Sequence, residues 1–435
     1  MTDETTTTAS AGVAWHRTPV IALGLAGAAV LAGLGLVLSR PDVIAVGLPL
    51  ALAAVWALLR RPRDGELRVA LHAAPDAGED AVVRVTADVD LDAEHVQLAV
   101  EGRGRRTALA EVRPGTAVLS ARTRLSHSGP VELMGLIARG TAIDGAWVSD
   151  RGPRTAIGWN AAPKTRRIDR LPVAPRLTGL NGSHEGRRAG QGGDFHDIHP
   201  FVPGDEVRRV DWRATARAAR RPGDLLVRRV NALSDSSVVI AMDTAEDLGS
   251  VVAAWGTDDP DRTGVTSLDL AREAALSVAT AAVGAGDRVA FHALSPGGRS
   301  VPIGGGARHL ARLRAAVAAT GPSADSSYRR SPVVPTGSIV FVLSTFADGV
   351  AARLATQWRA AGHAVVAIDV LPQLDGARLT REQRIALRTL LAERADILAE
   401  LRRAGVEVVA WADDGVDVAL RVAAVRQQRS RRVAR

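Results

Sequence analysis

Oxygen-bearing side chains follow two apolar runs in the C-terminal half of the chain. Asp243 comes directly after one run, with Asp247 four residues later, and Ser344 ends another run, with Asp348 four residues later. Thr266 stands at the start of the helical stretch between them. Carboxylate and hydroxyl oxygens are the ligands that Mg²⁺ prefers, and Mg²⁺ needs few of them from the protein. The sequence therefore suggests a Mg²⁺ site built from these five residues.

Asp, Ser and Thr are also the favoured residues for helix caps and turns at strand-to-helix junctions. The residue types alone leave this structural interpretation open beside the metal site. Other chemistry is excluded more firmly. The chain has no cysteine, which excludes disulfides, thiolate metal sites and cysteine nucleophiles. It also lacks the Gly-x-Ser-x-Gly elbow of serine hydrolases.

Alternating strands and helices are predicted around these residues. The apolar runs at 237–242, 287–294, 339–343, 364–370 and 406–411 are typical of buried strands. Helical spacing occupies 266–283, 307–319, 350–361 and 381–404. Such alternation predicts βαβ units and a mostly parallel sheet, in which ligands bind at the carboxyl ends of the strands. Asp243 and Ser344 fall at those ends.

Two apolar runs near the N-terminus, 19–38 and 43–59, are each long enough to cross a bilayer. The short turn between them predicts a transmembrane hairpin over 19–60, preceded by a disordered, Thr-rich tail over 1–18. Arginines are concentrated at the two open ends of the hairpin, while the turn holds Arg40 alone. The positive-inside rule then places the rest of the chain in the cytoplasm, as part of a multi-pass cell-membrane protein. A cleaved signal peptide is the competing interpretation of the first run.

The remaining chain divides by its pattern. Residues 64–160 alternate apolar and polar side chains at period two, which predicts a β-sandwich-like module serving as a spacer or protein-contact unit. A Pro-rich connector and an irregular polar segment occupy 161–235. The α/β domain is predicted over 236–425, and a basic tail over 426–435.

The irregular segment, 186–229, contains a run of arginines interleaved with acids. Its basic face suits phosphate, nucleic acid or anionic lipid, but the acids favour internal ion pairs. His196 and His199 beside two aspartates give only a weak zinc pattern. Few aromatic residues are present in the whole chain, which disfavours nucleic acid. We expect a structural junction, in which Phe195 and Trp212 lie in a core while Asp205 and Asp211 pair with arginines.

The run GGDFHDIHPFVPGDEVRRVDWRATAR, followed by LLVRR, resembles the signature of the bacterial domain-of-unknown-function family fifty-eight. The matching positions are Phe195, Pro203, Gly204, Asp205, Arg208, Arg209, Asp211, Trp212, Ala216, Arg217 and Arg228. The resemblance implies a layout of two membrane helices, a β-rich region, this signature and a von Willebrand factor A-like domain. It also implies a MoxR-type AAA ATPase as partner, in assembly, maturation or cell-envelope processes, and no established enzymatic activity.

The chain departs from the expected pattern at three places. Asp194 stands where the family usually has Glu, and the residues from His199 to Phe201 replace its Arg-x-Tyr. A metal-dependent adhesion site in an A-like domain needs Asp-x-Ser-x-Ser, and here the run from Asp243 to Asp247 reads DTAED, with Ala245 in place of the first serine. We therefore expect a membrane-anchored, non-enzymatic interaction protein with no certain cofactor, Mg²⁺ being the candidate. The alternative is a Mg²⁺-dependent hydrolase or phosphotransferase acting through Asp243, Asp247 and Asp348.

Overall fold

The computed structural model describes residues 4–76, 81–102, 107–114, 119–174, 184–218, 221, 224–234, 236–255, 262–323, 331–413 and 415–433. The side chains of residues 184–194, 196, 231–234, 425 and 427–433 lie outside this description. The chain forms two compact units. The first contains the described residues up to 161 except 127–129, and the second contains those three residues and the described chain from 162 onward.

The first unit begins with a strand and a short strand and continues into two helices, α1 (Pro19–Val37) and α2 (Pro41–Leu59). Both helices are long and apolar enough to cross a membrane, by length and composition. They pack closely at two glycines. A Cβ added to Gly35 would lie 2.5 Å from Cγ1 of Ile44, and one added to Gly47 would lie 3.2 Å from Cβ of Leu31. The absence of a side chain at these positions lets the two backbones approach.

Ten strands form the rest of the first unit. They are β1 (Thr5–Val13), β2 (Trp15–Arg17), β3 (Gly65–Pro75), β4 (Val82–Asp90), β5 (His95–Glu101), β6 (Thr107–Val112), β7 (Leu119–Arg124), β8 (Gly129–Ala142), β9 (Trp147–Ser149) and β10 (Thr155–Ala161). One sheet has the order β1-β3-β4-β7, and the other β2-β9-β8-β5-β6 with β10 beside β8. Apolar side chains of both sheets meet in one core, among them Leu71, Val85, Leu98 and Leu136.

The prediction of a disordered tail over 1–18 is wrong for the described residues. Residues 5–13 form β1, which pairs antiparallel with β3 from Thr5 opposite Ala73 to Val13 opposite Gly65. Its side chains alternate between half-buried and exposed. Threonine is β-branched and fits a half-buried strand well. The sequence did not show this alternation, because threonine occupies both the half-buried and the exposed positions of the strand.

The second unit contains all five strands and four helices predicted for the α/β domain, in chain order and preceded by a hairpin. Its elements are β11 (His184–Pro200), α3 (Trp212–Ala218), β12 (Leu226–Ser234), β13 (Ser237–Asp243), α4 (Ser267–Gly284), β14 (Arg288–Leu294), β15 (Ser300–Gly304), α5 (Ala307–Ala318), β16 (Ile339–Ser344), α6 (Val350–Ala360), β17 (Ala364–Asp369), α7 (Arg381–Arg403), β18 (Glu407–Ala410) and α8 (Val416–Val433).

The central sheet of this unit has six strands in the order β15-β14-β13-β16-β17-β18. All neighbouring pairs are parallel except β14–β15, so the predicted mixed α/β architecture is observed. β15 was not predicted, since it has only five residues, among them Pro302 and Gly304, and lies at the sheet edge. Helices cover both faces, because Ile240 and Phe341 contribute to one buried cluster and Val239 and Val342 to another.

The connector before β11 is part of the second unit. Ile168 and Ala174 lie in the same core as the central sheet. The backbone N–H of Arg166 donates to Ser277 Oγ at 2.8 Å, and its guanidinium pairs with Glu273 on α4. At the other end, α8 runs through residue 425, where the sequence suggested that the domain ends. Burial of its first turns, including Leu420, against the sheet explains the continuation.

Candidate functional site

The carboxyl ends of β13 and β16 meet at the point where the strand order reverses. Successive strands after β13 are added on one side of it, and those from β16 onward on the other. In open α/β sheets this switch point is where ligands bind. Ser344 Oγ donates a hydrogen bond to Asp243 Oδ2 at 2.7 Å, and both side chains are buried. The structure thus brings together the two residues that follow the predicted strands.

A second carboxylate–hydroxyl pair lies beside the first. Thr345 Oγ1 donates to Glu246 Oε2 at 2.6 Å. Burial raises the pKa of Glu246, the hydrogen bond from Thr345 opposes that rise, and repulsion from Asp348 and Asp243 adds to it. The sequence signal for Glu246 was present in the run after β13. It was missed because the adhesion-type pattern assigns no ligand to that position.

The other predicted ligands serve as helix caps. Thr266 and Asp269 form a capping box at the start of α4, in which the side chain of each accepts from the backbone N–H of the other. Asp247 Oδ1 accepts from the N–H of Leu268 at 3.2 Å. Asp348 is exposed and its Oδ1 accepts from the N–H of Val350 at 2.9 Å, at the start of α6. Capping thus accounts for the contacts of these three residues.

A buried arginine from α7 supports this edge of the sheet and was not anticipated. Arg394 Nε donates to the backbone oxygen of Thr345 at 2.6 Å, and its guanidinium forms an ion pair with Asp369 at the end of β17. The side chains of the ion pair are 11% and 13% exposed. The sequence gives no signal of such a role, because the packing of α7 against the sheet determines which of its arginines is buried.

The network at the strand ends is closed by protein donors. Asp243 Oδ1 accepts from the N–H of Ala245 at 3.1 Å, and Ser344 Oγ accepts from the N–H of Phe346 at 2.9 Å while donating to Asp243. Within the described residues, no group of three or more His, Cys, Asp or Glu side chains is placed to hold a metal ion. The arrangement therefore fixes the turn after β16 to the turn after β13.

The family-like signature forms a separate structure, built on the β11–β12 hairpin. β12 pairs with β11 from His199 opposite Val227 to Phe195 opposite Val230. On its other edge, Val210 forms a bridge with Val227, and the N–H of Asp211 donates to the oxygen of Leu226 at 2.8 Å. The connection before α3 is thereby held against β12.

A tight turn and a helix cap explain several of the matching positions. The N–H of Asp205 donates to the oxygen of Val202 at 3.0 Å, and Asp205 Oδ2 accepts from the N–H of Val202 at 3.0 Å. Pro203 and Gly204 occupy the centre of this turn, and Gly204 has a φ of +105°, which only glycine adopts without strain. Asp211 Oδ1 accepts from the N–H of Ala214 at 2.9 Å and so caps α3.

The prediction that Phe195 and Trp212 lie in a core is wrong. Their side chains are 51% and 65% exposed. The buried apolar residues of the segment are Val210 and Val227 instead. Burial was predicted because large aromatic side chains are usually core residues. Phe195 lies on a two-stranded hairpin and Trp212 at the start of α3, and both side chains remain in solvent.

The predicted pairing of Asp205 and Asp211 with arginines is also wrong, since both carboxylates accept from backbone N–H groups. The described ion pairs of the segment are formed by Glu206 with Arg208 and Arg209, and by Asp197 with Arg229. Asp205 faces His199, with Oδ2 3.4 Å from Nε2. The side chains of Asp194 and His196, the rest of the weak zinc pattern, lie outside the described residues.

Several arginines of the segment have no acidic partner in the described part of the chain, namely Arg213, Arg217 and Arg228. Arg228 lies over the ring of Phe195, with Cζ 5.5 Å from the ring centroid, and is opposite Ile198 across the hairpin. We call the following residues the signature surface: Phe195, Ile198, Val202, Val207, Trp212, Arg213, Arg217 and Arg228.

The signature surface concentrates exposed apolar side chains. Outside residues 19–59, the exposed large apolar side chains of the described chain number twelve, and five of them are the apolar members of this surface. Scattered exposed apolar residues are normal in soluble domains, whereas a concentration of this kind marks an interaction site. The other six exposed large apolar residues of the second unit are spread along the chain from Val265 to Val422.

The model of the family described as "Protein of unknown function DUF58" matches residues 197–388. The match includes almost all of the signature surface and the whole edge formed by the ends of β13 and β16. Neither a search of curated proteins nor a search of solved structures gave a match. The matched residues therefore include both the buried network at the ends of β13 and β16 and most of the exposed signature surface, whose Phe195 lies just before the match.

Proposed function

We propose that this DUF58-family protein is a membrane-anchored, non-enzymatic interaction protein that binds a protein partner through the signature surface. The observation that carries the proposal is the exposure of Phe195 and Trp212 beside arginines without acidic partners. A folded chain gains nothing from leaving an indole and a phenyl ring in water. The side chains are well suited to contribute their burial energy to a complex instead.

The chemistry of the surface is that of a binding hot spot. Trp and Arg are enriched among the residues that dominate binding energy in protein complexes. Complete burial of a large apolar side chain stabilises by about 1.5–3 kcal/mol, so Phe195 and Trp212 together suffice for a substantial affinity difference. Arg228, stacked on Phe195, adds a planar donor that matches a carboxylate of the partner.

The partner proposed is a MoxR-type AAA ATPase, as the family resemblance implies. Work on other complexes, in assembly, maturation or the cell envelope, follows from such a partner. The second unit is proposed to be a von Willebrand factor A-like domain, supported by its parallel strands and by Asp243 at the switch point. The hairpin of α1 and α2 supports a multi-pass location in the cell membrane, and the arginines around its open end support a cytoplasmic soluble part.

Direct binding tests the proposal. The full-length protein is purified in detergent and immobilised, and a MoxR-type AAA ATPase from the same organism is passed over it in an interferometer. Trp212→Ala is expected to weaken binding at least tenfold, which corresponds to about 1.4 kcal/mol. Ile385→Ala is the matched control, because Ile385 is also an exposed large apolar residue of the second unit.

The outcomes are distinct. Retained stability of Trp212→Ala together with lost binding supports a docking role. Equal binding by Trp212→Ala and wild type would exclude the signature surface as the docking site. Absence of binding by the wild-type protein would exclude this ATPase as the partner.

The Mg²⁺-dependent hydrolase or phosphotransferase acting through Asp243, Asp247 and Asp348 is the second candidate. The observation in its favour is that Asp243 lies at the switch point of the sheet, where ligands bind. Calorimetric titration with Mg²⁺ and Mn²⁺ decides it. Saturable binding that Asp243→Ala abolishes would establish a metal centre, and titration without heat would leave the edge as a structural network.

A further inference from the structure

The open end of the α1–α2 hairpin is fixed to the β-rich module by hydrogen bonds. Thr18 Oγ1 donates to the oxygen of Gly145 at 2.7 Å, and Trp147 Nε1 donates to the oxygen of Ala57 at 2.8 Å. Ile21, near the start of α1, and Ala57 are buried against this end of the module. The helices therefore leave the module at a defined place. Farther from the module, many of their apolar side chains are exposed.

Tryptophans and arginines surround the helices at this level. The guanidinium of Arg60 lies over the ring of Trp56, with Cζ 4.1 Å from the centroid, and that of Arg17 lies 5.7 Å from the centroid of Trp147. Arg63 is exposed and lies four residues past the end of α2. Tryptophan prefers the boundary between hydrocarbon and headgroups, where its ring is apolar and its N–H reaches water. We call Arg17, Trp56, Arg60, Arg63 and Trp147 the base collar.

The cations of the base collar are available. In the described chain, Arg17, Arg60 and Arg63 have no carboxylate partner. Asp64, next to Arg63 in the sequence, pairs with Arg61, and Asp150 pairs with His16, the neighbour of Arg17. A cation held over an aromatic ring keeps its outward N–H donors free for an anion.

The closed end of the hairpin is different. Its single arginine, Arg40, donates from Nε and Nη2 to the two carboxylate oxygens of Asp42 at 3.0 and 2.7 Å. The charge there is neutralised within the chain. The hairpin thus presents unpaired cations at one end only, which is an asymmetry of structure and not merely of residue counts.

We propose that the base collar binds the phosphate groups of anionic lipid headgroups. Arginine presents planar donors that match phosphate, and an unpaired cation near an anionic membrane surface gains about fivefold in affinity. The adjacent ring of Trp56 lies where acyl chains begin, so one site takes both parts of a lipid. This inference rests on the proposed membrane anchoring and assigns its lipid class and its residues.

Lipid preference in a bilayer tests the inference. The full-length protein is placed in nanodiscs of phosphatidylcholine alone or mixed with phosphatidylglycerol, and retained lipids are counted by native mass spectrometry after release. We expect phosphatidylglycerol to be enriched around the wild type. The triple variant Arg17→Gln, Arg60→Gln, Arg63→Gln is expected to lose about fivefold for each arginine removed. Arg40→Gln is the matched control and is expected to retain the enrichment.

Further arms separate the explanations. The triple variant to lysine keeps the charges and is expected to retain part of the enrichment, which checks that loss in the glutamine variant is not misfolding. Equal enrichment in wild type and glutamine variant would overturn the inference. So would suppression of the enrichment by inorganic phosphate at low concentration, because the collar would then be a general anion site. Alkaline carbonate extraction is run beside these measurements, and release of the protein from membranes would overturn the anchoring itself.

Discussion

The edge of the central sheet at the ends of β13 and β16 and the signature surface lie wholly and mostly, respectively, within the residues that match the family model. Their side chains are satisfied in opposite ways. At the edge, polar side chains that resemble a metal site bond to one another, as Ser344 does to Asp243 and Thr345 to Glu246. At the signature surface, apolar side chains that resemble a core, such as Phe195 and Trp212, remain in solvent. Residue types therefore identify an unusual region. Its role depends on whether those side chains find hydrogen-bond partners or burial within the chain.

The largest effect is expected from removing Arg394, the buried cation beside the ends of β16 and β17. Arg394→Ala leaves Asp369 without its ion-pair partner and the oxygen of Thr345 without its donor. Breaking a buried pair costs about 3–5 kcal/mol, and we expect the free energy of unfolding in denaturant to fall by that amount. Arg388→Ala, on the exposed part of the same helix, is the control and is expected to change it by less than about 0.5 kcal/mol. A similar small loss for both variants would contradict a structural role of the edge.

A smaller effect is expected from Ser344→Ala. The variant removes the donor to Asp243 and the acceptor of the Phe346 N–H, both in a buried place. A buried polar group left without a partner costs about 1–3 kcal/mol. We expect that loss of stability with unchanged affinity for the proposed ATPase partner, measured by denaturation and interferometry on the same samples. A stable variant that has lost partner binding would move the docking site to this edge.

The signature segment offers the next comparison, between two neighbouring residues. Asp211→Ala removes the cap of α3 and is expected to cost about 1 kcal/mol in the free energy of unfolding. Trp212→Ala removes a side chain that is 65% exposed and is expected to cost less. Partner affinity should respond in the reverse order. Greater destabilisation by Trp212→Ala than by Asp211→Ala would show that the indole packs in a core after all.

The smallest effect concerns the charge on Glu246. Burial raises the pKa of this carboxyl, Thr345 opposes the rise, and Asp348 and Asp243 add to it. Because the folded-state pKa lies above the unfolded value, the ionised form costs stability at higher pH. That cost disappears as the pH falls through the folded pKa.

Glu246→Gln removes the charge and keeps an acceptor for Thr345. We therefore expect a higher free energy of unfolding than wild type at neutral pH and no difference in acid, measured by unfolding at several pH values. A variant that is less stable than wild type at neutral pH would instead indicate that the carboxylate has a favourable partner there.

Much of the fold follows from local pattern. Two apolar runs predicted α1 and α2, and alternating runs predicted the strands and helices from β13 to β18 in their order, because burial on both faces of a parallel strand leaves a continuous apolar signature. Shorter and more polar strands carried less signal. β15 was missed, and β1 was taken for a disordered tail, since an edge strand needs apolar side chains on one face at most.

By itself, the sequence determined the family resemblance, the hairpin of apolar helices, and the junction at which Asp243 and Ser344 meet. Only the tertiary structure decided that this junction is closed by Arg394 and by two hydroxyls, while Phe195 and Trp212 lie outside any core. The physical reason is that propensity and periodicity are properties of neighbouring residues. Burial and hydrogen-bond satisfaction depend on partners about 50 to 100 positions away, as the separations of 49 and 101 residues for Arg394–Thr345 and Ser344–Asp243 illustrate.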